Sequence, residues 1–237
     1  MKDIVIRNSN TNYTIRISKS TEGNLAVPTS NKGDKNSLIK AIVNDVYWIS
    51  SDYHIFKELL KTGKEKQEAF EDTKRIIKLH NSIVKKDDPF LLLGDLTESE
   101  YGNEENVEAL SLVKNAVNRL NGKKIIICGN NDTMSNYFLK QCGFDLIFRQ
   151  NIENQDLVLS HYPTNITGKQ INIHGHIHGS HKYWGVDPKN HIDCYWKLWN
   201  GPIKYSFLLD KLNKNEYKGK FVQTDFNDPE NGGDIHL

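Results

Sequence analysis

Seven side chains have the types and spacing of metal ligands: Asp52, His54, Asp95, Asn130, His161, His176 and His178. One residue separates Asp52 from His54, and one separates His176 from His178. In an extended chain residues i and i+2 project to the same side, so each pair can present its two donors on one side of the chain. Pooled with Asp95, Asn130 and His161, they supply imidazole nitrogens and carboxylate or amide oxygens without a thiolate, a set suited to Mn, Fe, Zn or Ni rather than a soft metal. A single tetrahedral zinc needs about four ligands. Seven candidates therefore point to two ions about 3.5 to 4 Å apart that share a bridging carboxylate. Asp95 is the natural bridge, because it follows the apolar run Phe90-Leu91-Leu92-Leu93 and an anion between two dications is strongly favoured. Gly94, Gly129, Gly175 and Gly179 beside these residues let the backbone pass close to an ion or a substrate.

Taken singly, each residue has an ordinary explanation. An Asp after a strand is commonly a helix cap, an Asn a turn former, and His161 before Tyr162-Pro163 a loop residue. The joint pattern has none, since turn chemistry does not ask for four histidines in these places.

The elements that must position these groups can be read from apolar periodicity. Residues 3 to 7 and 13 to 17 alternate apolar and polar about a turn-rich Asn8–Asn12, which predicts a hairpin. Residues 19 to 36 read as irregular, and Val46 to Ser50 as the first strand of the main domain. Helices are expected over 65–86, with Ala69, Phe70, Ile76, Ile77, Ile83 and Val84 on one face, and over 105–120, with Val107, Leu110, Val113 and Val117 inward. A third is expected near 133–141. Continuous apolar strands fall at 90–93 and 124–128, with further strands near 145–149, 156–160, 170–174 and 191–197. The class is α/β. Strands 46–50, 90–93, 124–128, 156–160 and 170–174 each run at the carboxyl end into one of the candidate motifs, the edge where open α/β sheets bind ligands.

The chain has 237 residues and a net charge of +1, so it offers no global field for nucleic acid or anionic membrane. No extended basic track is seen, which disfavours long nucleic acid as the ligand. No apolar run approaches the roughly 20 residues of a bilayer span, the amino terminus lacks the apolar core of a secretory signal, and three unclustered cysteines do not make a disulfide framework. A cytoplasmic location is expected, with the oligomeric state left open. His80 reads as a core histidine on its helix stripe, His181 as a loop residue, His191 and His236 as surface or tail residues, His174 as structural or as a support to the ligands, and Cys128 as a buried inert thiol. Lys57, Lys61, Lys64 and Lys66 read as a solvated face balanced by Glu58, Glu65 and Glu68.

The ordered set Asp52-x-His54, Gly94-Asp95, Gly129-Asn130-x-Asp132, His161 and Gly175-His176-x-His178 resembles the calcineurin-like metallophosphoesterase superfamily, over about residues 46 to 210. The flanks Leu157 to Pro163 and His174 to Gly179 further resemble its small bacterial and phage members. The resemblance implies two mixed β-sheets packed as a sandwich with helices outside. It implies one ion held by Asp52, His54 and His178, another by Asn130, His161 and His176, and Asp95 as the bridge. It further implies a metal-dependent phosphoesterase that attacks phosphorus with a metal-bridging hydroxide, manganese being the first choice of metal and a small phosphate ester or nucleotide the substrate.

Two departures stand out. The family commonly has a histidine after the motif Asn, implied to protonate the leaving group or steady the phosphoryl, and here the residue is Asn131. Asn131, Asp132, which orients that histidine where there is one, and Asp95 are the expected catalytic residues. An amide donates hydrogen bonds but is no general acid, so a diester or activated ester is the expected substrate. The alternative is a metal-binding but catalytically silent interaction module of the same fold. The second departure is Ile55-Phe56 after His54, where the family often has a glycine two residues beyond the histidine. The organisation expected is an N-terminal hairpin and loop over 1–45, the phosphoesterase domain over 46–212, and a polar C-terminal tail over 213–237.

Overall fold

The candidate ligand motifs sit on two four-stranded sheets. A computed structural model describes residues 4–8, 11–17, 32–57, 59, 62–98 and 107–214. The tail anchors Phe221 and Phe226, His236, and Glu58 and Lys61 of the lysine-rich arm lie outside them.

The chain opens with β1 (Ile4–Asn8) and β2 (Thr11–Ile17), an antiparallel hairpin with a register shift at Arg7/Asn8. Helix α1 (Lys32–Val43) follows, and it begins inside the stretch up to residue 36 that reads as irregular chain. Then come β3 (Trp48–Ser50), α2 (Gly63–Ile83), β4 (Pro89–Leu92), α3 (Val107–Asn118), β5 (Lys123–Ile127), α4 (Asn136–Gln141) and β6 (Phe144–Phe148). The second half adds β7 (Ile152–Glu153), β8 (Leu157–Leu159), β9 (Ile171–His174), α5 (His181–Trp184), β10 (His191–Asp193), α6 (Trp196–Trp199) and α7 (Tyr205–Asn213).

Strands β3-β4-β5-β6 form one sheet in sequence order, every pair parallel, because each connection carries a helix. The other sheet runs β10-β9-β8-β7 and is mixed, with only β7 antiparallel. The expected sandwich thus has one wholly parallel layer. Alternation along the strands builds two cores. Ile49, Leu91, Leu93, Ile125 and Ile127 meet Ile152, Leu157, Leu159, Ile173 and Ile192 between the sheets, joined by Leu38, Ile39 and Ile42 of α1 and Leu208 of α7. Phe90, Leu92 and Ile126 face the other way, against Ile76 and Ile77 of α2 and Val113 and Val117 of α3. Burial on both faces explains why β4 and β5 read as unbroken apolar runs.

At the carboxyl edge the sheets are stitched together. Ser51 bridges Tyr195 in parallel, and the Ser51 N–H donates to the Cys194 carbonyl at 3.0 Å. None of the described helices is long and apolar enough to cross a membrane.

Candidate metal centre

The loops carrying the first two motifs leave neighbouring strand ends and run side by side. The Asp52 N–H donates to the Gly94 carbonyl at 3.0 Å and the His54 N–H to the Asp95 carbonyl at 3.0 Å. Bending the chain this sharply requires backbone that L-residues rarely adopt: Asp52, His54, Asp95, His176 and His178 have φ of 55°, 44°, 52°, 70° and 48°. Such conformations cost energy and persist where surrounding structure over-determines them, commonly at functional sites. Phe56 also lies at φ 58°, so the position where the family often has glycine keeps the glycine-like turn. Its N–H donates to Thr73 Oγ1 at 2.8 Å and its ring packs 5.1 Å from Phe70.

The glycine at 94 is enforced. It has φ 81°, and a Cβ there would sit 2.7 Å from the Gly129 nitrogen and 2.7 Å from the His161 ring. Gly129 is equally confined, since a Cβ would fall on the Asp95 carboxylate and 2.8 Å from the Asp95 nitrogen.

The folded chain gathers the sequence-derived ligands into two triads, Asp52–His54–His178 and Asp95–His161–His176, each with one donor atom per residue within 4.8 Å of the others. In the first, His54 Nε2 lies 3.3 Å from His178 Nε2, and His178 Nε2 lies 3.4 Å from Asp52 Oδ1. In the second, His161 Nε2 lies 3.2 Å from His176 Nδ1 and 3.0 Å from Asn130 Oδ1, which brings Asn130 to the same point. Asp95 stands between them. Its Oδ2 is 3.8 Å from His54 Nε2 and its Oδ1 is 3.4 Å from His161 Nε2, one oxygen toward each triad.

Each ligand is itself held. Asp52 is fully buried and accepts the His176 N–H on both oxygens at 3.0 and 3.1 Å. Burial works against its ionisation, yet His178, His161 and Ser51 together keep its carboxyl below the ordinary value. His161 Nδ1 faces the Leu93 carbonyl at 2.9 Å, so Nδ1 carries the proton and Nε2 is left as the coordinating atom. Burial and the neighbouring His161 lower the pKa of His176, favouring the neutral form that binds a cation. The His178 ring stacks on Tyr195 at 4.2 Å and 13°. This set of nitrogen and oxygen donors, with the His161 ring oriented from behind by the Leu93 carbonyl, fits a pair of divalent ions.

Asn131 and Asp132 are placed behind Asp95. Asn131 donates to Asp95 Oδ2 from its side-chain amide at 2.7 Å and to Oδ1 from its backbone at 3.0 Å. Asp132 is buried, and its carboxylate accepts the N–H groups of Asp95, Leu96 and Gly129 at 2.8, 2.9 and 2.7 Å. Burial raises its pKa despite those bonds.

Sequence reading passes over two carboxylates. Glu98 Oε1 lies 2.9 Å from His54 Nδ1 and raises the histidine's pKa against the effect of burial. Its one sequence signal is a second acid three residues after Asp95. Asp193, at the end of β10, is fully buried and accepts the N–H of Gly179 at 2.6 Å and of Tyr195 at 2.9 Å, tying the His178 loop to the ring it stacks on. Burial and the charge of Asp52 push its pKa up.

The remaining histidines of the described residues are structural. His80 is buried between the Tyr53 hydroxyl and the Asn121 carbonyl, as its helix stripe implies. His174 is buried with Nδ1 on the Gly175 carbonyl at 2.7 Å. His181 and His191, expected on a loop and on the surface, are instead buried, because α5 folds back over β10 and His181 Nε2 meets the His191 carbonyl at 3.1 Å. Cys128, expected to be buried, is only partly so, but desolvation still pushes its thiol up to about 12, the inert state expected of it. Lys64 pairs with Glu68 at 3.3 Å on a highly exposed face, an ordinary solvated pair.

No family model matches the chain, and no curated protein matches it. The solved structures that are similar in part include two described by name. AQ665 from Aquifex aeolicus, a protein of unknown function, aligns at TM-score 0.46 and 22% identity over 70% of this chain and 98% of its own. Nuclease MPE from Pseudomonas putida aligns at TM-score 0.40 and 16% identity over 57% of this chain and 62% of its own.

Proposed function

We propose that this chain is a calcineurin-like, metal-dependent phosphoesterase that holds two divalent ions and cleaves a diester or activated phosphate ester, with a small phosphate ester or nucleotide as substrate. Asp52, His54 and His178 hold one ion, Asn130, His161 and His176 the other, and Asp95 is shared. The observation that carries this reading is the Asp95 carboxylate, which turns one oxygen to His54 and the other to His161. Manganese is the first choice for an oxygen and imidazole set, with Fe, Zn or Ni also suited. When bound, such ions activate water near neutral pH and neutralise charge developing on phosphoryl oxygens. The chain's part is to fix the ligands and to orient the ester. Asp132 locks the Asp95 and Gly129 loops to each other, and Asn131 holds the Asp95 carboxylate by a hydrogen bond to each oxygen. The three cysteines are free, in keeping with a reducing cytoplasm.

Because Asn131 has no proton to give, a silent metal-binding module is the competing reading. Reconstitution with manganese followed by hydrolysis of bis(p-nitrophenyl) phosphate separates the two. The phosphoesterase binds two equivalents and turns the diester over, and chelation abolishes the activity. Two equivalents without turnover establish the silent module, and no binding overturns both.

A further inference from the structure

Beside His176 the surface carries an aromatic wall that the ligand set does not use. The Tyr162 ring lies 4.2 Å from the His176 ring and the Trp184 indole 4.8 Å from it. Both are nearly half exposed, at 46% and 47%. Singly exposed aromatics are ordinary. Two that meet the same imidazole, beside a candidate active site, are not scattered singly.

Past Trp184 this wall opens into a pocket of about 370 Å³, bounded by Pro163 and Asn165 on one side and by Trp184, Val186, Asp187 and Asn190 on the other. That is within the usual range for small-molecule sites, about 300 to 1,000 Å³. Among the described residues its lining contains no lysine or arginine; its titratable side chains are Asp187 and His191, whose ring nitrogens already face the Asp187 and Thr164 carbonyls. A phosphate therefore finds no lysine or arginine there, and belongs at the cation-binding triads next door. What the lining suits is a flat ring with hydrogen-bonding edges. Trp184 offers a face, the Asn165 amide offers a donor and an acceptor, Asn190, whose Oδ1 faces His191 Nδ1 at 2.9 Å, offers its NH2, and Asp187 Oδ1, which already accepts the Lys189 N–H at 3.0 Å, retains further acceptor capacity. A nucleobase has both the π face and the donor edge.

We propose that this pocket is a base-binding subsite, so that the ester cleaved is a phosphodiester bearing a nucleoside: the base stacks on Trp184, Tyr162 flanks the sugar, and the phosphate lies at the two triads. The proposal rests on the phosphoesterase reading of the adjacent centre, and it narrows the substrate class.

Calorimetric titration of manganese-loaded protein with AMP and with ribose 5-phosphate tests it. AMP is expected to bind at least about tenfold more tightly, the scale of one base on one aromatic ring. That advantage should vanish in Trp184→Ala and persist in Trp184→Phe, which keeps a stacking face. In parallel, Trp184→Ala should lower kcat/KM for thymidine 5′-(p-nitrophenyl phosphate) about tenfold more than for methyl p-nitrophenyl phosphate. Equal binding of the two phosphates, or an AMP advantage that survives Trp184→Ala, overturns the subsite. Adenosine, which has no phosphate, keeps the two readings apart. If it binds the metal-free wild type and not Trp184→Ala while no diester is hydrolysed, the pocket stands and the phosphoesterase reading fails. A short single-stranded oligonucleotide that outcompetes AMP assigns the base to a nucleic-acid strand, and one that competes no better assigns it to a small nucleotide.

Discussion

Glu98 Oε1 lies 2.9 Å from His54 Nδ1, behind the imidazole whose Nε2 belongs to the first triad. A carboxylate in that position fixes the proton on Nδ1, frees Nε2 as the donor atom and raises the basicity of the ring. Glu98→Gln keeps the size and loses the charge. Partners of this kind are worth about 10- to 100-fold in metal affinity, so manganese titration of the variant should show one of two equivalents weakened by at least about tenfold. Unchanged affinity for both would show that Glu98 merely caps the loop.

Asp95 carries the dinuclear assignment. Asp95→Asn preserves the volume and one carbonyl oxygen and removes the negative charge that two cations share. Metal content should fall from two ions to one, and diester hydrolysis should be lost. If the variant still holds two equivalents, the bridge is elsewhere and the two triads act as separate sites.

Phe56 sets strain against burial. Its φ of 58° costs an L-residue roughly 1–2 kcal/mol relative to glycine. Its ring, only 6% exposed and packed on Phe70, is worth roughly 3–5 kcal/mol on truncation. Burial outweighs the strain, so Phe56→Gly should destabilise the protein by about 2 kcal/mol in urea unfolding while the loop conformation and metal stoichiometry persist. A stabilised variant would mean that the turn, rather than the ring, dominates.

His80 gives the fold an acid-sensitive point. Its Nε2 faces the Asn121 carbonyl at 2.9 Å and must carry a proton, so Nδ1 accepts from the Tyr53 hydroxyl at 2.8 Å and the ring is neutral. Burial lowers its pKa from 6.5 to about 4. As pH falls through 6.5 the unfolded chain takes up a proton that the folded chain refuses until about pH 4, so stability is full above that window and is lost on descending through it. Wild type should lose about 2 kcal/mol more than His80→Phe between about pH 7 and about pH 5. Equal losses would place the acid sensitivity at other groups.

These residues show which parts of the molecule local sequence can reveal. Strands β4 and β5 are buried on both faces, so Phe90–Leu93 and Ile125–Ile127 announce themselves as apolar runs, and each motif follows directly from the strand that carries it. Helix α1 gives no such signal: Leu38, Ile39 and Ile42 span little more than a turn after Gly33 and a polar start, and their burial comes from the second sheet and α7. Helices α5 and α6 have four residues each, about one turn, too short for a periodic pattern. His181 and His191 have polar neighbours in sequence and so read as exposed, whereas tertiary packing of α5 on β10 buries them. Glu98 reaches His54 only because the chain turns back at Asp95 in the left-handed conformation, a bend that residue type alone does not disclose.

Asn131 decides the leaving group. Its amide is engaged with Asp95 Oδ2 at 2.7 Å, and an amide has no proton to transfer at neutral pH. An alkoxide must then depart unprotonated, whereas a nitrophenolate leaves readily, so wild type should cleave nitrophenyl diesters far faster than simple alkyl monoesters. Asn131→His supplies the missing acid, and a well-placed general acid is worth about 100-fold or more. Less than that should be gained, for two reasons visible in the structure. The substitution removes a donor from Asp95, and both oxygens of Asp132 are already committed to the N–H groups of Asp95, Leu96 and Gly129, leaving the new imidazole without a dedicated orienting partner. A gain of about tenfold for alkyl or phenyl esters, with little change for nitrophenyl esters, is the expected pattern in kcat/KM. If wild type already cleaves alkyl monoesters as fast as nitrophenyl diesters, a different side chain donates the proton and Asn131 serves only to hold Asp95.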